Sequence, residues 1–234
     1  MKNKEVINHI VNWLKNYAQD NKMNGFVVGV SGGIDSALTS TLCAKTGLPT
    51  LCLEMPIKQQ QSQVDRAQEH IRWLRKHHTN VAEKMVLLYP VFDALSKAVE
   101  ADEQKNEDLL SLANTRARLR MVTLYYYAAC KRYLVAGTGN KVEDFGVGFY
   151  TKYGDGGVDL SPIADLSKTQ VRALASTLGV DQKILNAPPT DGLWDDGRND
   201  EEQLDATYEQ LEWAMTQHAA GKSPADFVGE NARV

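Results

Sequence analysis

The sequence predicts an α/β fold with a doubly wound parallel sheet flanked by helices. Short apolar runs alternate with stretches of helical periodicity between residues 4 and 136. The runs are almost continuously apolar, as in parallel strands that helices cover on both faces. A glycine-rich turn at 29–36 follows the first run, at the carboxyl edge where such sheets bind ligands. We expect one domain over 1–234, because no repeat, low-complexity tract or linker divides the chain.

The elements follow in order from apolar spacing and from turn residues. Gly47 ends the second helix, Pro56 closes the second strand, and the longest helical pattern begins after the polar stretch 101–107. The predicted elements are a helix over 4–19, a strand over 26–30, a helix from the glycine turn to about 45, a strand over 50–55, a helix over 62–78, a strand over 85–89, a helix over 91–100, a long helix over 108–133 and a short strand over 134–136.

The alternation fades in the last third of the chain. We expect a short extended segment at 161–163, a helix over 167–178 and a last helix over 203–218. Residues 187–202 hold two prolines, two glycines and six acidic residues. Such a segment is too polar to pack and too long for a simple connection, so we expect a mobile lid there.

Composition excludes several classes of protein. The chain has 234 residues, a formal net charge of −4 and 43% apolar residues, so it lacks the basic surface of a nucleic-acid-binding protein. No apolar run approaches the ~20 residues of a membrane span, and the first residues are amphipathic rather than a signal sequence. Cys43, Cys52 and Cys130 lack metal-binding spacing and are expected to be reduced core residues. We therefore expect a cytoplasmic protein with no nucleic-acid or membrane partner.

The glycine turn carries the strongest chemical signal. Residues 29–36 (GVSGGIDS) connect a strand to a helix, so backbone N–H groups of the turn and of the helix N-terminus form an anion site. A carboxylate beside phosphate is repulsive unless a divalent cation lies between them, which makes Asp35 a candidate Mg²⁺ ligand. The spacing fits neither a Walker A loop nor a dinucleotide fingerprint. The alternative is an ordinary glycine turn capped by Ser36.

Two further features point to the same crevice. The segment 137–144 leaves the fourth strand, and its Glu143 can face Asp35 to complete an oxygen-rich Mg²⁺ site. The alternative is an acidic residue that merely suits a helix N-terminus. Lys168 begins a helix, where the dipole disfavours a cation unless a phosphate binds nearby. The alternative is a surface lysine.

A second pair of features is less specific. The glycine-rich turn at 151–159 is surrounded by charged residues, and it is either a binding loop or a solvated turn. In the segment 114–120, Arg116 and Arg120 share a helix face while Arg118 points elsewhere. We expect at least one arginine to face the crevice or a partner subunit, since arginine suits bidentate phosphate contacts. The alternative is a solvated basic face.

Together these motifs resemble a known family. The first loop is similar to the SGGxDS loop of the PP-loop ATP pyrophosphatases, which bind ATP and split it between the α and β phosphates. Six segments in order (SGGIDS, NTRARLRM, GTGNKVE, TKYGDGGVDLSPI, LSK and PPTDGL) look like NAD synthetase, over roughly residues 5–215. The resemblance implies an adenine nucleotide alpha hydrolase-like, Rossmann-like fold. It also implies ATP-dependent amidation of deamido-NAD.

The resemblance assigns roles to matched positions. It implies Asp35 and Glu143 as Mg²⁺ ligands, and Asp35, Lys168 and Asp155 as catalytic residues. The implied ATP-binding residues are Gly29, Val30, Ser31, Gly32, Gly33, Ile34, Asp35, Ser36, Thr138, Lys168 and Thr190. The implied deamido-NAD-binding residues are Asn114, Arg118, Lys152, Asp155 and Asp159.

The family is a homodimer, and the long helix 108–133 is expected in its interface. The implied reaction adenylates deamido-NAD, after which ammonia displaces AMP, with Asp155 as a candidate to deprotonate ammonium. Ammonia is the expected nitrogen donor because no glutaminase segment or nucleophilic cysteine is evident, although a separate glutaminase subunit stays open. The alternatives are another PP-loop ATP pyrophosphatase, such as a GMP-synthetase-like amidase or a tRNA-modifying enzyme, and a non-catalytic nucleotide-binding module.

Overall fold

A four-stranded parallel sheet organises the protein. The computed structural model describes residues 1–190 and 199–227. The strands are β1 Gly25–Gly29, β2 Thr50–Glu54, β3 Val81–Met85 and β4 Tyr133–Val135. The helices are α1 Asn3–Asp20, α2 Ile34–Lys45, α3 Gln61–His77, α4 Tyr89–Ala98, α5 Asn106–Lys131, α6 Lys168–Thr177, α7 Gln182–Leu185, α8 Asp200–Leu204 and α9 Tyr208–Ala219, with a π-helix at Lys141–Val147 and a 3₁₀ turn at Pro224–Asp226.

The strand order is β3-β2-β1-β4. Phe26 of β1 pairs with Thr50 of β2 on one side and with Leu134 of β4 on the other. The chain therefore winds outward from β1 through β2 to β3, and then returns to add β4 on the far side of β1. The polar loops after β1 and β4 meet at this reversal of strand order, where ligands bind in open α/β sheets.

Helices cover both faces of the sheet. Because side chains alternate along a strand, Phe26 and Val28 face one side while Val27 faces the other. The first side packs against α1, α2, α6 and α7, and the second against α4 and α5. These fully buried apolar layers confirm the predicted doubly wound fold.

The third strand was predicted at the wrong place. β3 spans Val81–Met85, not 85–89, and pairs with β2 alone. Only Val81 of its five residues is buried, because this edge strand is little covered on either face and so needs no apolar run. The apolar residues that suggested a strand lead instead into α4, which begins at Tyr89 with a proline in its first turn.

Three smaller predictions also need correction, and one helix was not predicted. Residues 161–163 form no strand, since the chain makes one isolated bridge, Ala136 to Leu160, and then turns. The last predicted helix is two helices, because Asp205 adopts a left-handed φ of 53° and Thr207 caps α9 anew. Helix α7 was not predicted. Cys43 and Cys52 are buried, but Cys130 is exposed on α5.

Among the described residues, no helix combines the length and apolar character needed to cross a membrane.

Candidate active site

The loop between β1 and α2 is held by its own hydroxyl groups. The Ser31 N–H donates to Ser36 Oγ at 3.2 Å, the Gly33 N–H donates to Ser31 Oγ at 3.2 Å, and Ser36 Oγ donates to the Gly33 carbonyl at 3.0 Å. Gly32 has a φ of +84°, and a Cβ there would overlap the backbone oxygen of Gln63 in α3. Glycine is therefore required at 32, because the loop lies directly against α3.

Three charged side chains meet beside this loop, and we call Asp35, Glu143 and Lys168 the ion triad. Lys168 Nζ donates to Asp35 Oδ2 at 2.7 Å and to Glu143 Oε1 at 2.8 Å. The Lys168 side chain is 3% exposed. The structure thus brings together the two predicted metal ligands and the predicted phosphate-binding lysine, which come from α2, the π-helix and α6.

Local capping places these residues. Ser167 and Gln170 form a capping box that starts α6 at Lys168. Asn140 caps the π-helix by accepting from the backbone N–H groups of Val142 and Glu143. Its Nδ2 also donates to Asp35 Oδ1 at 3.1 Å. The sequence analysis missed Asn140, although an asparagine just before a short helix is a recognisable N-cap signal.

The ion triad carries one cation for two carboxylates. Burial alone would lower the pKa of Lys168, but the Asp35 and Glu143 carboxylates outweigh it and raise that pKa above its ordinary value. Burial raises the pKa of Asp35. For Glu143 burial acts in the same direction, but Lys168 overrides it and holds the pKa below its usual range. The surplus of carboxylate oxygen suits a hard divalent cation.

A tyrosine completes the triad's surroundings. The Tyr208 hydroxyl lies 2.5 Å from Glu143 Oε1 and 3.1 Å from Asp200 Oδ2. Lys168 Nζ lies 4.8 Å from the centroid of the Tyr208 ring. Neither Tyr208 nor Asp200 was predicted as a site residue, because nothing in the sequence shows that the chain folds back here.

The ion triad borders a cleft of about 260 Å³. Its lining contains every residue of the 29–36 loop except Gly32, which faces α3. It also contains the predicted ATP residues Thr138 and Thr190 and the predicted base Asp155. Further lining residues that were not predicted are Glu54, Arg66, Arg172 and Asp200.

Four of the five predicted deamido-NAD residues surround the turn at 151–157. Asn114 Oδ1 accepts from Thr151 Oγ1 at 2.7 Å, and Arg118 Nε donates to the Lys152 carbonyl at 3.2 Å. Asp155 accepts from the Thr151 N–H at 2.9 Å and is the one of the five that lines the cleft, in the part of the chain the structure describes.

The fifth predicted deamido-NAD residue, Asp159, is engaged at the sheet. It accepts from the Val135 N–H at 2.8 Å and from the Tyr125 hydroxyl at 3.0 Å. These bonds tie the end of the 151–159 turn to β4.

The arginines of α5 separate into different roles. Arg116 is buried, with its guanidinium 5.1 Å from the centroid of Phe92, so the solvated-face alternative is wrong for this residue. Arg120 lines the cleft and donates from Nε to the Met55 carbonyl at 3.1 Å. The expectation that one arginine faces the crevice is therefore confirmed by Arg120.

Asp144 is a second acidic residue beside the site. Burial raises its pKa to about 7, and the charges of Asp155 and Glu143 add to the effect. Its carboxylate occupies the space that a side chain at Gly139 would fill. The glycine at 139 thus makes room for Asp144, a relation that the sequence alone did not reveal.

The predicted lid falls partly outside the described residues. Its central portion, 191–198, lies there. At its ends, the residues 187–190 and Asp200 line the cleft, and the Asp200 N–H donates to the Pro189 carbonyl at 3.0 Å. The two ends of the segment therefore meet at the mouth of the site.

Comparison with known proteins identifies similar sequences. A family model described as NAD synthase matches residues 6–232. The NH(3)-dependent NAD(+) synthetase of Carboxydothermus hydrogenoformans is 37% identical, over 94% of this chain and 88% of its own length. The protein of the same description from Methanocaldococcus jannaschii is also 37% identical, over 97% of this chain and 85% of its own.

Solved structures with a similar fold include two synthetases. The structure of NMN synthetase from Francisella tularensis matches with a TM-score of 0.85 and 34% identity, and the match covers 99% of this chain and 90% of that one. The NH3-dependent NAD synthetase from Campylobacter jejuni, solved with a nitrate ion, matches with a TM-score of 0.70 and 31% identity. That match covers 79% of this chain and 77% of the other.

Proposed function

This chain belongs to the NAD synthase family, and from that premise we propose that its cleft amidates deamido-NAD with ammonia in an ATP-dependent reaction. It is a ligase that forms a C–N bond, and its substrates are ATP, deamido-NAD and ammonia. The observation that carries the proposal is the ion triad beside a glycine loop at the carboxyl edge of the sheet.

The loop and Lys168 bind the phosphates of ATP in this proposal. The loop between β1 and α2 and the start of α2 line the cleft, and a helix N-terminus favours a bound anion. Lys168 lies next to the loop with its ammonium held among carboxylates, so it stays charged and can stabilise the leaving pyrophosphate. Thr138 and Thr190 flank the same cleft and contact ATP.

Asp35 and Glu143 are the proposed Mg²⁺ ligands. Both are carboxylates, both reach the same point in the cleft, and together they exceed the charge of Lys168, which is the donor chemistry that Mg²⁺ requires. A bound Mg²⁺ would neutralise phosphate charge that Lys168 alone leaves uncompensated.

The acceptor reacts in two steps. The nicotinate carboxylate of deamido-NAD attacks the α-phosphate of ATP, so that an acyl–phosphate bond forms and pyrophosphate leaves. Ammonia then attacks the acyl carbon of this adenylate, and AMP leaves as the amide forms. Asp155 lines the cleft and is the proposed base that takes a proton from ammonium. Asn114, Arg118, Lys152 and Asp159 are the proposed contacts to the dinucleotide.

The ends of the 187–202 segment suggest how water is excluded. Four residues before the undescribed portion and Asp200 after it line the cleft. We propose that these two ends of the segment shield the adenylate, because water would otherwise hydrolyse it.

We further propose that two copies of the chain associate through α5 and the segment after β4. Large apolar side chains stand exposed there, namely Leu110, Val122, Tyr126, Phe145, Val147, Tyr150 and Tyr153. Large apolar side chains exposed in such number are typical of a protein interface. The turn at 151–157 lies against α5, where Arg118 Nε donates to the Lys152 carbonyl, so a second copy on α5 would lie near the proposed dinucleotide contacts. A cytoplasmic location stays a prediction.

The test is a coupled product assay. Purified protein is incubated with ATP and Mg²⁺, and the release of AMP and pyrophosphate is measured with deamido-NAD, with ammonium, with both and with neither. We expect NAD together with equal amounts of AMP and pyrophosphate when both are present. Folded protein without turnover under these conditions would contradict the proposal. Replacing ammonium by glutamine tests the nitrogen donor.

A second candidate acceptor is nicotinate mononucleotide, which the same chemistry would convert to NMN. The observation in its favour is the match to the Francisella tularensis NMN synthetase, with a TM-score of 0.85 over 99% of this chain. The two acceptors share the reacting carboxylate and differ in the AMP half, which only deamido-NAD has. Measuring kcat/KM for each acceptor under identical conditions decides between them, and the larger value identifies the substrate.

A further inference from the structure

Tyr208 contacts two members of the ion triad from outside it. Its hydroxyl lies 2.5 Å from Glu143 Oε1, and its ring face lies 4.8 Å from Lys168 Nζ. The residue is buried, so water competes little for these contacts. Packing alone would be served by phenylalanine, whereas this hydroxyl lies within hydrogen-bond distance of two carboxylates, those of Glu143 and Asp200.

Helix α9 holds Tyr208 in place. The helix starts with a capping box formed by Thr207 and Gln210. Tyr208 belongs to one buried apolar cluster with Val142 of the π-helix and Leu211 of its own helix. Further along α9, Glu212 Oε1 accepts from the Thr169 N–H at the start of α6, at 2.8 Å. α9 is therefore attached to both elements that carry the triad, the one with Glu143 and the one with Lys168.

The two hydrogen-bond donors to Glu143, Lys168 and Tyr208, behave differently in the proposed reaction. Glu143 Oε1 accepts from Lys168 Nζ at 2.8 Å and from the Tyr208 hydroxyl. In the proposed reaction Lys168 also binds the phosphates of ATP, so it must turn away from Glu143. Tyr208 has no such task, and its bond to Glu143 does not depend on Lys168. A carboxylate that keeps one fixed donor keeps its orientation when the other donor leaves.

We propose that Tyr208 is a positioning residue that holds Glu143 in its metal-binding orientation while Lys168 turns to the phosphates. The inference rests on the proposed function, since it takes Glu143 as a Mg²⁺ ligand. Tyr208 touches neither ATP nor the acceptor in this account. Its hydroxyl orients Glu143, and its ring face supports the Lys168 ammonium.

The test measures binding rather than turnover. ATP binding to the full chain is followed by isothermal titration calorimetry over a series of Mg²⁺ concentrations and in EDTA. Tyr208→Phe keeps the ring and removes only the hydroxyl. We expect Tyr208→Phe to raise the Mg²⁺ concentration for half-maximal ATP binding by about 10-fold, a usual effect of removing a partner of a metal ligand. Its ATP affinity in EDTA should equal that of the wild type.

Leu211→Ala is the matched control. Leu211 is buried in the same cluster as Tyr208 but touches neither Glu143 nor Lys168 in the described contacts. We expect this variant to lower the melting temperature and to keep the wild-type Mg²⁺ dependence. A purely structural role for Tyr208 would instead make the two variants alike.

The outcomes separate the two claims. If wild-type ATP binding responds to Mg²⁺ and Tyr208→Phe responds identically, the inference is overturned while the metal site stands. The same holds if Leu211→Ala shifts the Mg²⁺ dependence as much as Tyr208→Phe does. If wild-type ATP binding ignores Mg²⁺, the metal assignment of Glu143 and this inference both fail.

Discussion

Lys168 is the residue on which the site's electrostatics depend. Its buried ammonium is bonded to both Asp35 and Glu143, which come from sequence positions more than a hundred residues apart. Burying this cation is tolerated only because its carboxylate partners compensate its charge. The carboxylates in turn depend on the charge of the cation. Lys168 therefore compensates the charge of two carboxylates next to the phosphate site, so the protein needs no bound metal to stay folded.

Removing the cation should therefore cost stability as well as activity. Lys168→Met leaves two largely buried carboxylates without a cationic partner, and we expect the free energy of unfolding to fall by about 3 to 5 kcal/mol. Asp35→Asn leaves the Lys168–Glu143 pair intact and should destabilise less, while it abolishes Mg²⁺-dependent turnover. Urea unfolding of both variants checks the order. Equal stability of wild type and Lys168→Met would contradict the buried-charge account.

Single glycine substitutions test the proposed role of the loop between β1 and α2. Gly32→Ala meets two penalties, a positive φ and overlap with the Gln63 backbone, whereas Gly47→Ala meets the positive φ alone because open space surrounds Gly47. We expect Gly47→Ala to cost about 1 kcal/mol and Gly32→Ala clearly more, with weakened ATP binding for Gly32→Ala only. Thermal unfolding and ATP titration of both variants measure this. An ATP affinity unchanged in Gly32→Ala would show that the loop does not hold the nucleotide.

Sequence reasoning found the residues that form motifs and missed those that packing brings in. The loop at 29–36, Glu143 and Lys168 were predicted because their glycines, carboxylates and lysine follow predicted strands or begin a predicted helix. Tyr208 and Asp144 were not, since their contacts depend on how α9 and the π-helix pack. No local pattern distinguishes a tyrosine in a last helix from an ordinary core residue.

At the scale of elements, α2 and α3 are joined beneath the glycine loop. His70 of α3 lies with Nε2 3.0 Å from Ser40 Oγ, and Ser40 in turn donates to the Ser36 carbonyl at 2.7 Å. Arg66 Nε of the same helix donates to the Gly32 carbonyl at 3.2 Å. The start of α2 is therefore fixed by α3 through two polar contacts, in addition to the apolar packing between them.

His70 makes this junction sensitive to acid. Burial lowers the pKa of His70 from 6.5 to about 4. The unfolded chain therefore binds this proton at a higher pH than the folded protein, so the stabilisation is complete above pH 6.5 and is lost as the pH falls toward 4. We expect His70 to reduce the free energy of unfolding by about 2 kcal/mol between pH 7 and pH 5.

Urea unfolding at the two pH values measures this loss. His70→Leu should remove that part of the pH dependence, and His77→Leu, on the exposed side of the same helix, should retain it. An identical pH dependence in wild type and His70→Leu would refute the role of His70.

Helices with a clear periodicity of apolar residues were predicted well. Elements that depend on tertiary packing or on a single backbone angle were not. The helices over 4–19 and 62–78 match α1 and α3 within a residue, because an apolar face defines each of them. β3 was misplaced because an edge strand lacks that signal. The break at Asp205 between α8 and α9 was missed because one left-handed residue leaves little trace in the sequence.

At the scale of the molecule, the exposed apolar face is the feature that a single copy leaves unexplained. Val122 and Tyr126 lie one helical turn apart on α5, and both are exposed. If two copies bury this face, a charge on it should separate them. We expect wild-type protein to sediment as a dimer and Val122→Asp as a monomer. Lys4→Glu, on the exposed side of α1, should remain dimeric. A monomeric wild type in sedimentation velocity would contradict the proposed interface.

The central claim is that the ion triad and the glycine loop activate a carboxylate by joining it to AMP. Isotope exchange between labelled pyrophosphate and ATP tests this step directly, with ammonium left out so that the adenylate cannot proceed. The account predicts label in ATP when deamido-NAD or nicotinate mononucleotide is present, none without an acceptor, and none with Asp35→Asn. Exchange that needs no acceptor would contradict it, as would folded enzyme that makes the amide in the full reaction yet exchanges no label with any acceptor.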